Sequence, residues 1–129
     1  MRRKATAPKL AVLVVDDDPS VGATMSRLVQ AAGYEPIYVN MALAALSRLE
    51  TGSSRIVAVM TDLHMAIMDG LGLAQRIAEQ YPSMRVVLCS GDSGPGVDSL
   101  EHQTGVTAVL SKPVRLQRLV DLLSVLVKT

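Results

Sequence analysis

Apolar residues come along this chain in five short runs: Leu10 to Val15, Ile37 to Val39, Ile56 to Met60, Val86 to Cys89 and Val106 to Leu110. Most of these runs are continuous rather than alternating, as in strands of a parallel sheet covered on both faces. Helical period fills the intervals. Val21, Met25, Leu28, Val29 and Ala32 share one helix face, and so do Ala74, Ile77, Ala78 and Tyr81. Pro19 suits a first helical turn, Gly33 a C-terminal stop, and Asp69 before Gly70 an N-cap. These signals predict helices over 19–32, 41–50, 70–81, 95–103 and 113–128. Five strands alternating with five helices give a doubly wound α/β fold, because parallel neighbours need right-handed crossovers that put helices on both faces. Pro36 marks the second strand as an edge. Gly91, Gly94, Pro95, Gly96 and Gly105 weaken the stretch around the fourth helix, which is expected to be the most mobile.

Length and composition narrow the function. At 129 residues the chain fits one domain with its own core, and 49% hydrophobic with 19% charged residues excludes wholesale disorder. No apolar run is long enough to cross a bilayer, and the basic start Met1-Arg2-Arg3-Lys4 lacks the pattern of a secretory signal. The single cysteine, Cys89, cannot pair within the chain, so a reducing cytoplasmic setting is expected. Arg2, Arg3, Lys4 and Lys9 make residues 1–9 a basic extension; the body from 10 to 129 carries nine basic against twelve acidic residues. With no Phe, no Trp and three Tyr, that body lacks the basic face and stacking platforms of a nucleic-acid binder.

In an open parallel sheet the functional crevice lies beyond the carboxyl ends of the strands. Here those ends carry Asp16, Asp17 and Asp18, then Asp62, then Ser90, then Lys112. Each has an ordinary reading by itself: the aspartates as a turn or helix cap, Ser90-Gly91 as a turn, Lys112-Pro113 as a helix start. Together they describe a site. Clustered carboxylates call for a cation such as Mg²⁺, and a lysine and a hydroxyl beside it suit a phosphoryl group. Asp62 would be the acceptor, since a carboxylate can attack phosphorus to give an acyl phosphate.

The motifs Val14-Val15-Asp16-Asp17-Asp18-Pro19, Thr61-Asp62-Leu63-His64-Met65 with Met68-Asp69-Gly70, Leu88-Cys89-Ser90-Gly91 and Ser111-Lys112-Pro113 resemble those of response-regulator receiver domains in two-component phosphorelays. The resemblance runs from Leu10 to about Val127. It implies a flavodoxin-like strand order 2-1-3-4-5, Asp62 as phosphoacceptor, and a Mg²⁺ pocket of Asp16, Asp17, Asp62 and the His64 backbone carbonyl. It also implies Ser90 and Lys112 on the phosphoryl oxygens and a cis peptide between Lys112 and Pro113. His64 and Asp92 would flank the path of hydrolytic water. Three positions depart from the family's pattern. Ala66 stands where proline is usual, Val109 where an aromatic reports the switch, and Val114 where Phe is common.

The function expected on this basis is a switch that takes a phosphoryl group from a sensor histidine kinase or phosphotransfer protein, assisting only its own phosphotransfer and dephosphorylation. Its output would be a changed interaction surface, because the chain ends at Thr129 without room for an effector domain. It would be a stand-alone regulator or a receiver cut from a longer protein. A haloacid-dehalogenase-type phosphohydrolase is the competing enzyme reading. It would use Asp16, Asp18, Ser90 and Lys112, but Pro19-Ser20 replaces its Gly-Thr and Asp62 is left idle. A phosphorylation-independent docking module would need an incomplete pocket. On the fifth helix, Leu116, Leu119, Val120, Leu123, Leu126 and Val127 are expected to face the sheet. Val114, Leu122 and Val125 would then lie outside and, with the fourth helix and Val109, form a face for a homodimer or protein target.

Overall fold

The computed structural model describes residues 9–52, 55–91 and 99–127. The apolar runs become strands β1 (Ala11–Val15), β2 (Glu35–Val39), β3 (Ile56–Asp62), β4 (Arg85–Ser90) and β5 (Ala108–Ser111). All pair in parallel, in the order β2-β1-β3-β4-β5. Pro36 therefore does lie on an edge strand, where a missing amide is tolerated. The helices are α1 (Pro19–Ala31), α2 (Ala42–Gly52), α3 (Gly70–Gln80) and α4 (Leu116–Leu126).

Central strand β1 explains the continuous apolar runs. Its side chains alternate between two cores, so both parities must be apolar. Leu13 and Val15 join Ala45 and Leu49 of α2 and Leu73 and Ile77 of α3 on one face. Val12 and Val14 join Met25 and Val29 of α1 and Leu119 and Leu123 of α4 on the other. The stripe Val21, Met25, Leu28, Val29 and Ala32 is seated in the second core, and Ala74, Ile77 and Tyr81 of the other stripe in the first.

Two expectations need correction. Four α-helices, not five, are present among the described residues: of the helix expected over 95–103, the described part is one 3₁₀ turn, Ser99–His102, and 95–98 lie outside the described residues. The glycines and proline on either side disfavour a longer α-helix. The helix expected from 113 begins at Leu116, because Arg115 is extended (φ −92°, ψ 140°) and forms the N-cap. Leu119, Leu123 and Leu126 face the core as expected, but three positions of this helix differ. Val125 is 70% exposed as expected, but Leu116, expected inside, is 40% exposed, and Val114 and Leu122, expected outside, pack on the core. Leu122 lines a shallow cavity together with Ala108, Val109 and Leu110 of β5, the edge strand of the sheet among the described residues.

Candidate functional site

The carboxyl ends of β1, β3, β4 and β5 bring the chemical residues together. Asp16, one residue past β1, is 3% exposed, and its carboxylate accepts the Asp18 amide at 2.9 Å. Asp17 is exposed and accepts the Ala66 amide at 3.4 Å. Asp62 closes β3 with its side chain 13% exposed. Lys112, one residue past β5, reaches across β4 to place Nζ 2.8 Å from Asp62 Oδ1 and 3.3 Å from Asp16 Oδ2. One carboxylate oxygen from each of Asp16, Asp17 and Asp62 lies within 4.8 Å of the other two.

The other expected residues border this cluster. Ser90 ends β4, one residue beyond the Cys89 that pairs with Asp62; it is buried, and its carbonyl accepts the Lys112 amide at 2.8 Å. The Lys112–Pro113 peptide is cis. His64 follows the end of β3 and is exposed. Asp92 lies outside the described residues. Asp18 caps α1, accepting the Ser20 amide and hydroxyl at 2.9 Å each and the Val21 amide at 3.5 Å. Its ordinary structural role is thus filled.

Electrostatics follow from this packing. Burial raises the Asp16 carboxyl, with the Asp18 amide and Lys112 pulling it back down and the Asp62 charge adding to the rise. For Lys112, burial acts to lower the pKa, but the bond to Asp62 and the charges of Asp16 and Asp62 outweigh it, leaving the ammonium raised and charged. Hydrogen bonds from Ser20 and then Val21 lower Asp18. Burial pushes the Cys89 thiol up to about 12, so it is an inert core residue beneath the site.

The loop after Asp62 is fixed by close contact rather than by proline. Gly70 opens α3 directly against the Asp62 carbonyl, where any Cβ would collide, and its amide donates to the Leu63 carbonyl at 2.8 Å. Asp69 caps α3 as expected, accepting the Gly72 amide at 2.8 Å. Between them, the Met68 amide donates to the Ala66 carbonyl at 2.8 Å across Ile67, whose φ is +70°. That three-residue turn is a strained one for a β-branched residue. It carries Ile67 89% exposed at the rim.

One residue at the site gave no signal in the sequence: Tyr38 of β2. Its hydroxyl donates to the Asp16 carbonyl at 2.7 Å, and its ring lies on Gly22 of α1. Only the three-dimensional neighbourhood of β2, β1 and α1 reveals it, although an unexplained glycine inside an otherwise good helix is a hint of close approach.

With this geometry in view, the similarity to known proteins is informative. The family model described as response regulator receiver domain matches residues 12–124, and the chain belongs to that family. It is 33% identical over 110 residues to the two-component response regulator ARR2 of Arabidopsis thaliana, covering 85% of this chain and 16% of that protein. It is 32% identical over 128 residues to the sensory/regulatory protein RpfC of Xanthomonas campestris, covering 96% of this chain and 17% of that one. This chain thus spans about a sixth of the length of these curated relatives. Among solved structures it resembles a response regulator receiver domain protein from Clostridium thermocellum, with TM-score 0.83, 23% identity, and 91% and 93% of the two chains covered. The expected fold and family are therefore established, and the hydrolase pattern is not favoured: it would require Asp16, which is buried and engaged, as nucleophile.

Receiver domains typically bind Mg²⁺ in their acidic pocket, and the residues present here fit one. Three carboxylates face one ammonium, which leaves the cluster with an excess of negative charge on hard oxygen donors. Among the described residues no helix is long and apolar enough to cross a membrane.

Proposed function

We propose that Asp62 accepts a phosphoryl group from a phosphohistidine on a sensor histidine kinase or phosphotransfer protein. The observation that carries this reading is the Lys112 ammonium at 2.8 Å from Asp62 Oδ1, inside a cluster of three carboxylates at the strand ends. Lys112 occupies Oδ1, which leaves Oδ2 to form the bond to phosphorus as the phosphorus–nitrogen bond of the donor breaks. The electron pair of that bond leaves with the imidazole, which takes up a proton. Lys112, already charged, then balances the phosphoryl oxygens. Bound to Asp16, Asp17, Asp62 and the His64 carbonyl, Mg²⁺ would supply the positive charge that lets carboxylate and phosphoryl group approach.

Ser90, buried at the end of β4, would move its hydroxyl toward a bound phosphoryl oxygen. That displacement is the start of the switch. With Val109 in place of an aromatic, the movement passes to β5 by repacking against Leu122 rather than by ring rotation. Lifetime of the acyl phosphate would depend on His64 and Asp92. The setting is cytoplasmic, the unit acts on its own phosphorylation state only, and the face bearing Val109 and α4 meets a protein target or a second copy. Incubation with acetyl phosphate and Mg²⁺ tests the reading. One phosphoryl group retained per chain is expected; multiple-turnover hydrolysis of phosphate esters would overturn it in favour of a hydrolase.

A further inference from the structure

Tyr38 stands on edge strand β2, outside the set of charged and hydroxyl side chains that define the pocket, yet it is tied to the pocket's backbone. Its ring is supported by Gly22, where a Cβ would collide with it, and its hydroxyl donates to the Asp16 carbonyl at 2.7 Å. The Asp16 amide donates in turn to the Val39 carbonyl at 3.3 Å. The end of β2 therefore grips both sides of the Asp16 main chain.

The two aspartates depend on that grip unequally. Asp16 has its own side-chain partners, the Asp18 amide at 2.9 Å and Lys112 at 3.3 Å. Asp17 has the Ala66 amide at 3.4 Å, a bond near the long limit of useful geometry. Its place in the cluster rests mainly on the orientation of the preceding peptide, whose carbonyl is the one Tyr38 holds. Turning that peptide would swing the Asp17 carboxylate away from Asp16 and Asp62.

We propose that Tyr38 is a positioning residue for the cation pocket: its hydroxyl, with Gly22 as the seat of its ring, fixes the Asp16–Asp17 peptide so that both carboxylates are set before a divalent cation arrives. This rests on the reading of the pocket as a Mg²⁺ site. Groups that orient metal ligands from outside the coordination shell commonly change affinity when removed, as a preset ligand needs no reordering on binding.

Isothermal titration of the whole chain with Mg²⁺ tests it. Tyr38→Phe keeps the ring on Gly22 and removes only the hydroxyl; its Mg²⁺ affinity is expected to fall about tenfold. Gly22→Ala, which displaces the ring, should weaken binding similarly in the parent and have no further effect in a Tyr38→Ala background. Thermal unfolding without metal separates positioning from simple stability. An unchanged Mg²⁺ affinity in Tyr38→Phe overturns the proposal, whatever happens to its melting temperature. Absence of Mg²⁺ binding in the parent is a different result: it removes the cation reading itself, and the proposal with it.

Discussion

Strands β1 and β5 both end at the site, but they are built to different standards. β1 is central, no more than 1% exposed at any residue, and continues into a loop gripped by β2 and capped onto α1 by Asp18. β5 is a four-residue edge strand, half-buried at Ala108 and Val109, preceded among the described residues by a single 3₁₀ turn and followed by a helix whose N-cap, Arg115, makes no side-chain cap bond. The carboxylates sit on the over-determined side, where several like charges must be held close together against their repulsion. Lys112 and the surface around Val109 sit on the less constrained side. A switch needs such an asymmetry, because its output elements must have a second arrangement within a few kcal/mol of the first.

Core truncation gives the largest contrast. Leu13→Ala on β1 should cost about 3 kcal/mol in urea unfolding, since the side chain is fully buried and its neighbours cannot collapse into the gap. Leu122→Ala, over β5, should cost about 1 kcal/mol because the site is partly exposed and can relax. Equal losses would break the comparison. Next in size is the cation itself: millimolar Mg²⁺ should stabilise the parent by about 1–2 kcal/mol, seen as a rise in melting temperature by circular dichroism. Asp17→Ala should lose most of that rise, with a metal-free melting temperature equal to or slightly above the parent's, because exposed Asp17 contributes little packing and its removal relieves repulsion in the cluster.

Smaller still is the missing cap. Arg115→Asp places an acceptor at the start of α4 and should raise stability by about 0.5–1 kcal/mol in the same urea measurement. No gain would mean that the start of α4 is already held by other contacts. The smallest effect is on Cys89. With its thiol pushed up to about 12 by burial, it should remain unlabelled by iodoacetamide at neutral pH in the native protein and label promptly in denaturant. Rapid native labelling would show that β4 opens beneath the site.

The same asymmetry decided what could be read from the chain. Buried parallel strands leave continuous apolar runs, so all five were visible, although β3 extends past its apolar run through Thr61 to Asp62 because the ladder continues under polar residues. That Asp16, Asp17, Asp62, Ser90 and Lys112 gather was legible, because each follows or ends a strand and the topology brings those ends to one edge. The β5 side was read less well. Helical period alone does not say where a helix axis sits over the sheet, and here Val114 and Leu122 are half-buried against the core while Leu116 is exposed. Tyr38 was invisible for a related reason: its partner is a main-chain carbonyl on a neighbouring strand, and a carbonyl has no residue type to recognise.

The central claim is that Asp62 is the one acceptor. The most direct test treats the parent and Asp62→Asn side by side with acetyl phosphate and Mg²⁺, followed by intact mass and peptide mapping. The parent is expected to gain one phosphoryl group, mapped to the peptide containing Asp62, while the folded variant gains none. Equal labelling of the variant, or a phosphoryl group mapped to Asp16 or Asp17, would contradict the assignment.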